Sequence, residues 1–145
     1  MKDLEKLILA ANYEEARKIV SKEDFNSFSD EMLSIAFQNE SIANYSFLNY
    51  LLIREETNHL HDLAFSLLVN PLCHLEGVYN SALYHARRSV ELTEGQNAGS
   101  LENLLFLNNV PEELVSDQEV IEICRKLLSL DESNQVAKDT LKELS

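Results

Sequence analysis

Three glycines and two prolines are all that this chain of 145 residues carries of the two amino acids that most often break a helix. A sheet protein of this size needs many tight turns, and tight turns draw on those residues. No stretch alternates apolar and polar side chains as a half-buried strand does. Leu, Glu, Ala, Lys and Asn are plentiful instead, and apolar positions recur at the spacing of an amphipathic helix. The expected fold class is all-α, with about eight or nine helices paired as stacked antiparallel hairpins by short connections. The length is that of one ordinary domain with a self-sufficient core, so residues 1–145 are read as a single helical-repeat domain.

Caps and period place the helices. Leu4, Leu7 and Ile8 mark the first. Asn12 is the expected cap of the second, with Glu15 at the capping-box position. Ser29 or Asp30 opens a third around Met32, Leu33, Ala36 and Phe37. Ser41–Arg54 reads as a fourth helix, apolar nearly all round and therefore buried on several sides. Thr57 caps a fifth, which Asn70-Pro71 ends. A sixth runs from about Leu75 to Leu92, and Thr93–Gly99 reads as a loop. A short seventh covers Leu101–Leu107. Ser116 with Glu119 forms a capping box before the eighth, and Ser133 or Asn134 opens the ninth.

Charge narrows the partners. Twelve basic and 25 acidic residues give a net charge of −13. Nucleic acid and anionic membrane surfaces repel such a chain, because both recruit clustered Lys and Arg. A basic protein is attracted and steered in, although acidity also serves simple solubility. The excess is uneven: residues 93–145 carry eleven acidic and four basic groups, while residues 32–92 carry only six and three. The charge-poor middle is therefore the expected core. The longest charge-free runs, Ser41–Ile53 and Leu63–Leu75, are too short for a membrane span and contain Asn. The N-terminus enters an amphipathic pattern without an apolar signal core, so a cytoplasmic location is expected. Cys73 and Cys124 lie far apart among apolar neighbours, in no Cys-x-x-Cys pattern, and read as reduced, packed thiols.

A weak internal repeat is present. Gly77-x-Tyr79-x-x-Ala82 leads to Ser89-Val90-x-Leu92. Ser116-Asp117-x-x-Val120 leads to Leu127-Leu128-x-Leu130-Asp131, ending 38 residues later. Asn12-Tyr13-Glu14-Glu15-Ala16 is a partial third copy. The pattern resembles the tetratricopeptide repeat, in which a Gly-x-Tyr-x-x-Ala start and a small-apolar-x-Leu-Asp-Pro finish frame the second helix of each hairpin. Small residues such as Ala82 and Ser89 let a neighbouring helix approach, and Tyr79 fills the space between hairpins. The likeness covers about half of the chain. The family's Trp is absent, the endings are Leu92-Thr93-Glu94 and Leu130-Asp131-Glu132, and Ser41–Asn70 does not keep the repeat length. The resemblance implies a short helical solenoid that presents a concave face to a protein or peptide.

Catalytic signatures are missing. There is no Gly-x-x-x-x-Gly-Lys phosphate loop, no Gly-x-Ser-x-Gly elbow and no His-Glu-x-x-His pair. The feature to weigh is the histidines. His59, His61, His74 and His85 all fall within one stretch, with Cys73 beside them. Zinc needs three or four such ligands converging at about 2.0–2.3 Å. His59 and His61 point about 200° apart on a helix, and His85 lies on the packing stripe of Val78, Ala82 and Ser89. Capping, hydrogen-bonding or groove-lining roles suit these histidines better than metal binding, and neither metal nor cofactor is expected. Tyr84, Arg87, Arg88 and Glu91 form the polar side of helix six. Two arginines there could anchor a partner carboxylate, against the plainer reading of a solvated face with an Arg88–Glu91 pair. The pairs Glu14-Glu15, Glu55-Glu56 and Glu112-Glu113 fit helix dipoles better than acid–base chemistry.

These readings lead to a non-enzymatic protein-interaction module. Its expected binding face is formed by helices four to six, with His59, His61, Asn70, His74, Tyr84, Arg87 and Arg88 as candidate contacts. An immunity-type protein that neutralises a basic toxin is a narrower version. A metal-dependent or enzymatic use of His59, His61, His74 and His85 is the competing class, and self-association through an exposed apolar patch is a third.

Overall fold

The computed structural model describes all 145 residues. They form nine helices and no strand: α1 (Leu4–Leu9), α2 (Tyr13–Val20), α3 (Phe25–Asn39), α4 (Ile42–Arg54), α5 (Asn58–Val69), α6 (Val78–Leu92), α7 (Ala98–Asn108), α8 (Asp117–Leu130) and α9 (Gln135–Leu144). No helix is long and apolar enough to cross a membrane.

Side chains that satisfy the free N–H groups of a first turn set most of the starts. Ser41 accepts from the Ala43 N–H, Thr57 from Leu60, Ser116 from Glu119 and Asn134 from Ala137. Three expected boundaries and one expected cap are corrected. Helix α3 opens at Phe25, because Asp24 accepts from both the N–H and the hydroxyl of Ser27, at 2.9 and 2.8 Å. Asn12 precedes α2, but its side chain makes no capping bond. Its N–H instead closes the end of α1 on the Leu7 carbonyl at 2.8 Å, beyond a left-handed Ala11. Helix α6 waits until Val78, after Gly77 turns the chain at φ +76°. Asn97 caps α7, which draws Ala98 and Gly99 out of the expected loop and into the helix.

Two apolar clusters make the core. One gathers side chains of α1 to α5 around the fully buried Phe47 and Met32; the other runs from α5 to α9 around Leu72, Leu107 and Leu127. Helix α5 belongs to both, giving Leu63, Ala64 and Leu67 to the first and Phe65 and Leu68 to the second. That double duty explains why the charge-poor run 63–75 is apolar beyond a single stripe. Around α4 the packing is branched, since it meets α1, α2, α3 and α5. Beyond α5, backbone contacts run between chain neighbours, as in stacked hairpins, with the Arg87–Glu119 pair reaching from α6 to α8. The repeat pattern lies in this second half. Ala82 and Ser89 are fully buried, and the Ser89 hydroxyl touches that of Ser100 on α7 at 2.7 Å. Tyr79 reaches the Phe106 ring of α7 at 6.4 Å.

Helix α4 is buried on several sides, as expected, through Asn44, Phe47, Leu48 and Leu51, while Ile42 and Ile53 are exposed. One sequence expectation fails in detail. Cys124 is buried, but Cys73 lies in the exposed turn after Asn70-Pro71.

Candidate functional site

Helices α4, α5 and α6 are tied together by one line of polar side chains. Thr57 starts α5 so that His61 sits one turn in, fully buried, with Glu56 just ahead of the cap. The His61 Nε2 lies 2.7 Å from Glu56 Oε2, and its Nδ1 lies 2.8 Å from Nδ1 of His85 on α6. The far nitrogen of His85, Nε2, lies 2.8 Å from the Tyr45 hydroxyl of α4. At the other end, Arg88 clasps Glu56 through two bonds of 2.8 and 2.7 Å and reaches Glu91 at 2.9 Å. The line therefore runs Tyr45, His85, His61, Glu56, Arg88. It passes from the interior to the surface, since His61 is 1% exposed and the Glu56 side chain 33%. The Tyr84 ring covers it, edge-on to both His61 and His85.

Donor and acceptor roles along the line follow from elementary chemistry. A carboxylate only accepts, so His61 Nε2 carries a hydrogen and donates to Glu56. With one hydrogen on each ring, His61 accepts at Nδ1, which forces His85 Nδ1 to donate and His85 Nε2 to accept from the Tyr45 hydroxyl. Charge follows the same gradient. The Arg88 and His61 hydrogen bonds hold the Glu56 carboxyl at about 2. Burial, and then the neighbouring His61, push His85 down to about 4, so it is held neutral. Burial raises Tyr45.

The surface end opens into a cleft of about 250 Å³ between α4 and α6, lined by Asn49, Leu52, Ile53, Glu56, His61 and Tyr84. Ile53 is 83% exposed and Tyr84 58%, unusually open for large apolar side chains on two adjacent walls. A larger concavity of about 630 Å³ lies elsewhere, beside Arg17, Phe25 and Arg54. Behind the polar line, Asp62 turns toward Ser89 and Ser100. Its Oδ1 is buried without a hydrogen bond, although the two hydroxyls are near enough to ease its charge, and burial raises its carboxyl.

The structure brings three of the candidate contacts, His61, Tyr84 and Arg88, to this cleft and its polar line. The others are dispersed. His59 packs on the Phe25 ring at 5.4 Å, and the exposed His74 faces Glu40 at 3.8 Å. Asn70 binds the Ser66 carbonyl at the end of α5. Arg87 pairs with Glu119 of α8 at 2.6 and 3.0 Å, on a separate cleft of about 310 Å³. No group of three or more His, Cys, Asp or Glu side chains is placed to hold a metal ion. Sequence reasoning missed Glu56 and Tyr45, and placed His85 only on a packing stripe. The meeting of residues 45, 61 and 85 depends on how α4 and α6 lie on α5, and no local spacing encodes that. Only Thr57, which fixes where α5 starts relative to Glu56, was a usable signal. No family model matches the chain, and neither a curated protein nor a solved structure matches it.

Proposed function

We propose that this chain is a non-enzymatic protein-interaction module, a degenerate relative of the tetratricopeptide-repeat architecture, that holds a basic protein or peptide in the cleft between α4 and α6. The supporting observation is the exposure of Ile53 and Tyr84 beside a cleft whose floor is tied to α6 by the buried His61–His85 contact. An apolar side chain of a partner removes both residues from water there. The ladder-like packing of α5 to α9, with small Ala82 and Ser89 buried on α6, supports the repeat-like reading. The net charge of −13 supports a basic partner, and neutralising a basic toxin is the narrower case.

Affinity capture under mild conditions, comparing the wild type with Ile53→Asp, tests the cleft. Val136→Asp, at an exposed apolar position on α9, is the control. The expected result is a basic protein retained by the wild type and the control and lost with Ile53→Asp, with an association rate that falls as salt rises. Capture of no protein, or an identical set with Ile53→Asp, counts against the reading.

A further inference from the structure

We infer that the buried chain from Tyr45 through His85 and His61 to Glu56 is a one-proton switch: a single proton taken up by the histidine pair reverses the direction of every hydrogen bond between His61 and Tyr45 without parting the three helices.

The inference rests on counting hydrogens. In the neutral state all four imidazole nitrogens are engaged, two as donors and two as acceptors, and every bond points from Tyr45 toward Glu56. No nitrogen is free to receive a proton. The 2.8 Å Nδ1–Nδ1 contact holds one hydrogen and no more, because two N–H groups facing each other at that distance repel. With three hydrogens on the pair every contact is kept, and the one between the two Nδ1 atoms can belong to either ring; the Glu56 carboxylate beside His61 and the burial of His85 assign it to His61. His61 takes the hydrogen of the Nδ1–Nδ1 bond as its own and becomes an imidazolium against the Glu56 carboxylate. His85 gives up that hydrogen and gains one at Nε2, changing tautomer without changing charge. Tyr45 then accepts from His85 where it had donated, and its own hydroxyl hydrogen turns away. Protons balance: one enters from solvent, and the pair holds three where it held two. A second proton has no place, in keeping with a His85 that stays neutral down to about 4.

The groups facing His61 favour the positive charge at that end of the pair. Glu56 lies in the α4–α5 connection, and Arg88 of α6 touches the pair only through Glu56 and is balanced on its other side by Glu91. From α6, Tyr84 and His85 present their rings; from α4 comes the Tyr45 hydroxyl. Asp62, next along α5, adds a further acidic group toward the same ring. The solvent-facing end of the switch is part of the cleft wall, so the wall gains one positive charge when the pair is protonated. That consequence rests on the cleft being the partner site; the reversal does not.

Nitrogen-15 imidazole spectra of the full chain, recorded from neutral to mildly acid pH, read the tautomers directly. The expected neutral state is His61 with hydrogen on Nε2 and His85 with hydrogen on Nδ1. In acid, His61 should carry both hydrogens, while His85 remains neutral with its hydrogen moved to Nε2 and the backbone amide pattern persists. Glu56→Gln should move the step to lower pH, because the carboxylate facing the His61 Nε2–H favours positive charge on the pair. Glu91→Gln, which touches only Arg88, should leave it in place. The inference is overturned if His85 keeps its hydrogen on Nδ1 through the step, if both rings charge together, or if Glu56→Gln leaves the step unmoved. Loss of partner capture with an intact tautomer exchange would overturn the cleft reading alone.

Discussion

His85 uses both ring nitrogens inside the protein, one on His61 and one on Tyr45, and neither is left for water. The energetic consequence is a pH dependence of known sign. An unfolded chain protonates this ring near the ordinary 6.5, whereas the fold delays protonation to about 4. Between those values the unfolded state binds more protons, so falling pH favours unfolding. The contribution is fully present above 6.5 and is removed progressively down to about 4, for about 3–4 kcal/mol at most, at ~1.4 kcal/mol per pKa unit. Glu56, held at about 2, adds a loss in the same direction at lower pH, below its ordinary 4.5. Urea midpoints measured from pH 7 to pH 4 should fall, and His85→Gln, which cannot titrate there, should flatten the upper part of the curve. A midpoint that is level or rising over that interval contradicts the assignment. None of this was legible from the sequence around His85. The stripe of Val78, Ala82 and Ser89 correctly put the ring in the packing face, but what waited there belonged to α4 and α5.

Helix identity was far more legible than helix limits. Every helix expected from apolar period is present, because a 3.6-residue stripe is a property of the segment itself. Limits were legible where one side chain decides them, as at Ser41, Thr57, Ser116 and Asn134. At Asn12 the limit was legible, since α2 does begin at Tyr13, but the means was not, because no side-chain bond caps it. The start of α6 was misread, and there Gly77 decides. Its φ of +76° is the left-handed conformation that sets the entry angle of α6, and a Cβ there would meet nothing within 4 Å. The cost of Gly77→Ala is therefore one of backbone conformation alone, about 1 kcal/mol. Thermal unfolding should show a modest drop, with the α6 tautomers and the Tyr45–His85 contact unchanged. A much larger loss, or none, would mean that another residue absorbs the turn.

The two halves of the molecule follow different packing rules, branched around α4 and sequential from α5 to α9, and what unites them is α5. It supplies buried side chains to both clusters, and Tyr45 of α4 packs against both as well. The sequence showed this hub only indirectly, as a charge-free run too apolar for one stripe. The cleft and its polar line also stand on α5, so the stability of the hub and the shape of the proposed binding face are the same property. Leu67 tests the point: it is fully buried in the cluster of the N-terminal half, while its neighbour Leu68 faces the other. Leu67→Ala should cost about 2–5 kcal/mol, as large-to-small changes in closed cores do. If α5 couples the halves, amide exchange should accelerate by a similar factor in α4 and in α7, on opposite sides of the hub. Helix α9, with Ala137 as its only buried residue, should already exchange faster than either and change little. Acceleration confined to α1–α4, with α7 and α8 still protected, would show two independently opening units and would separate the repeat-like half from the bundle that precedes it.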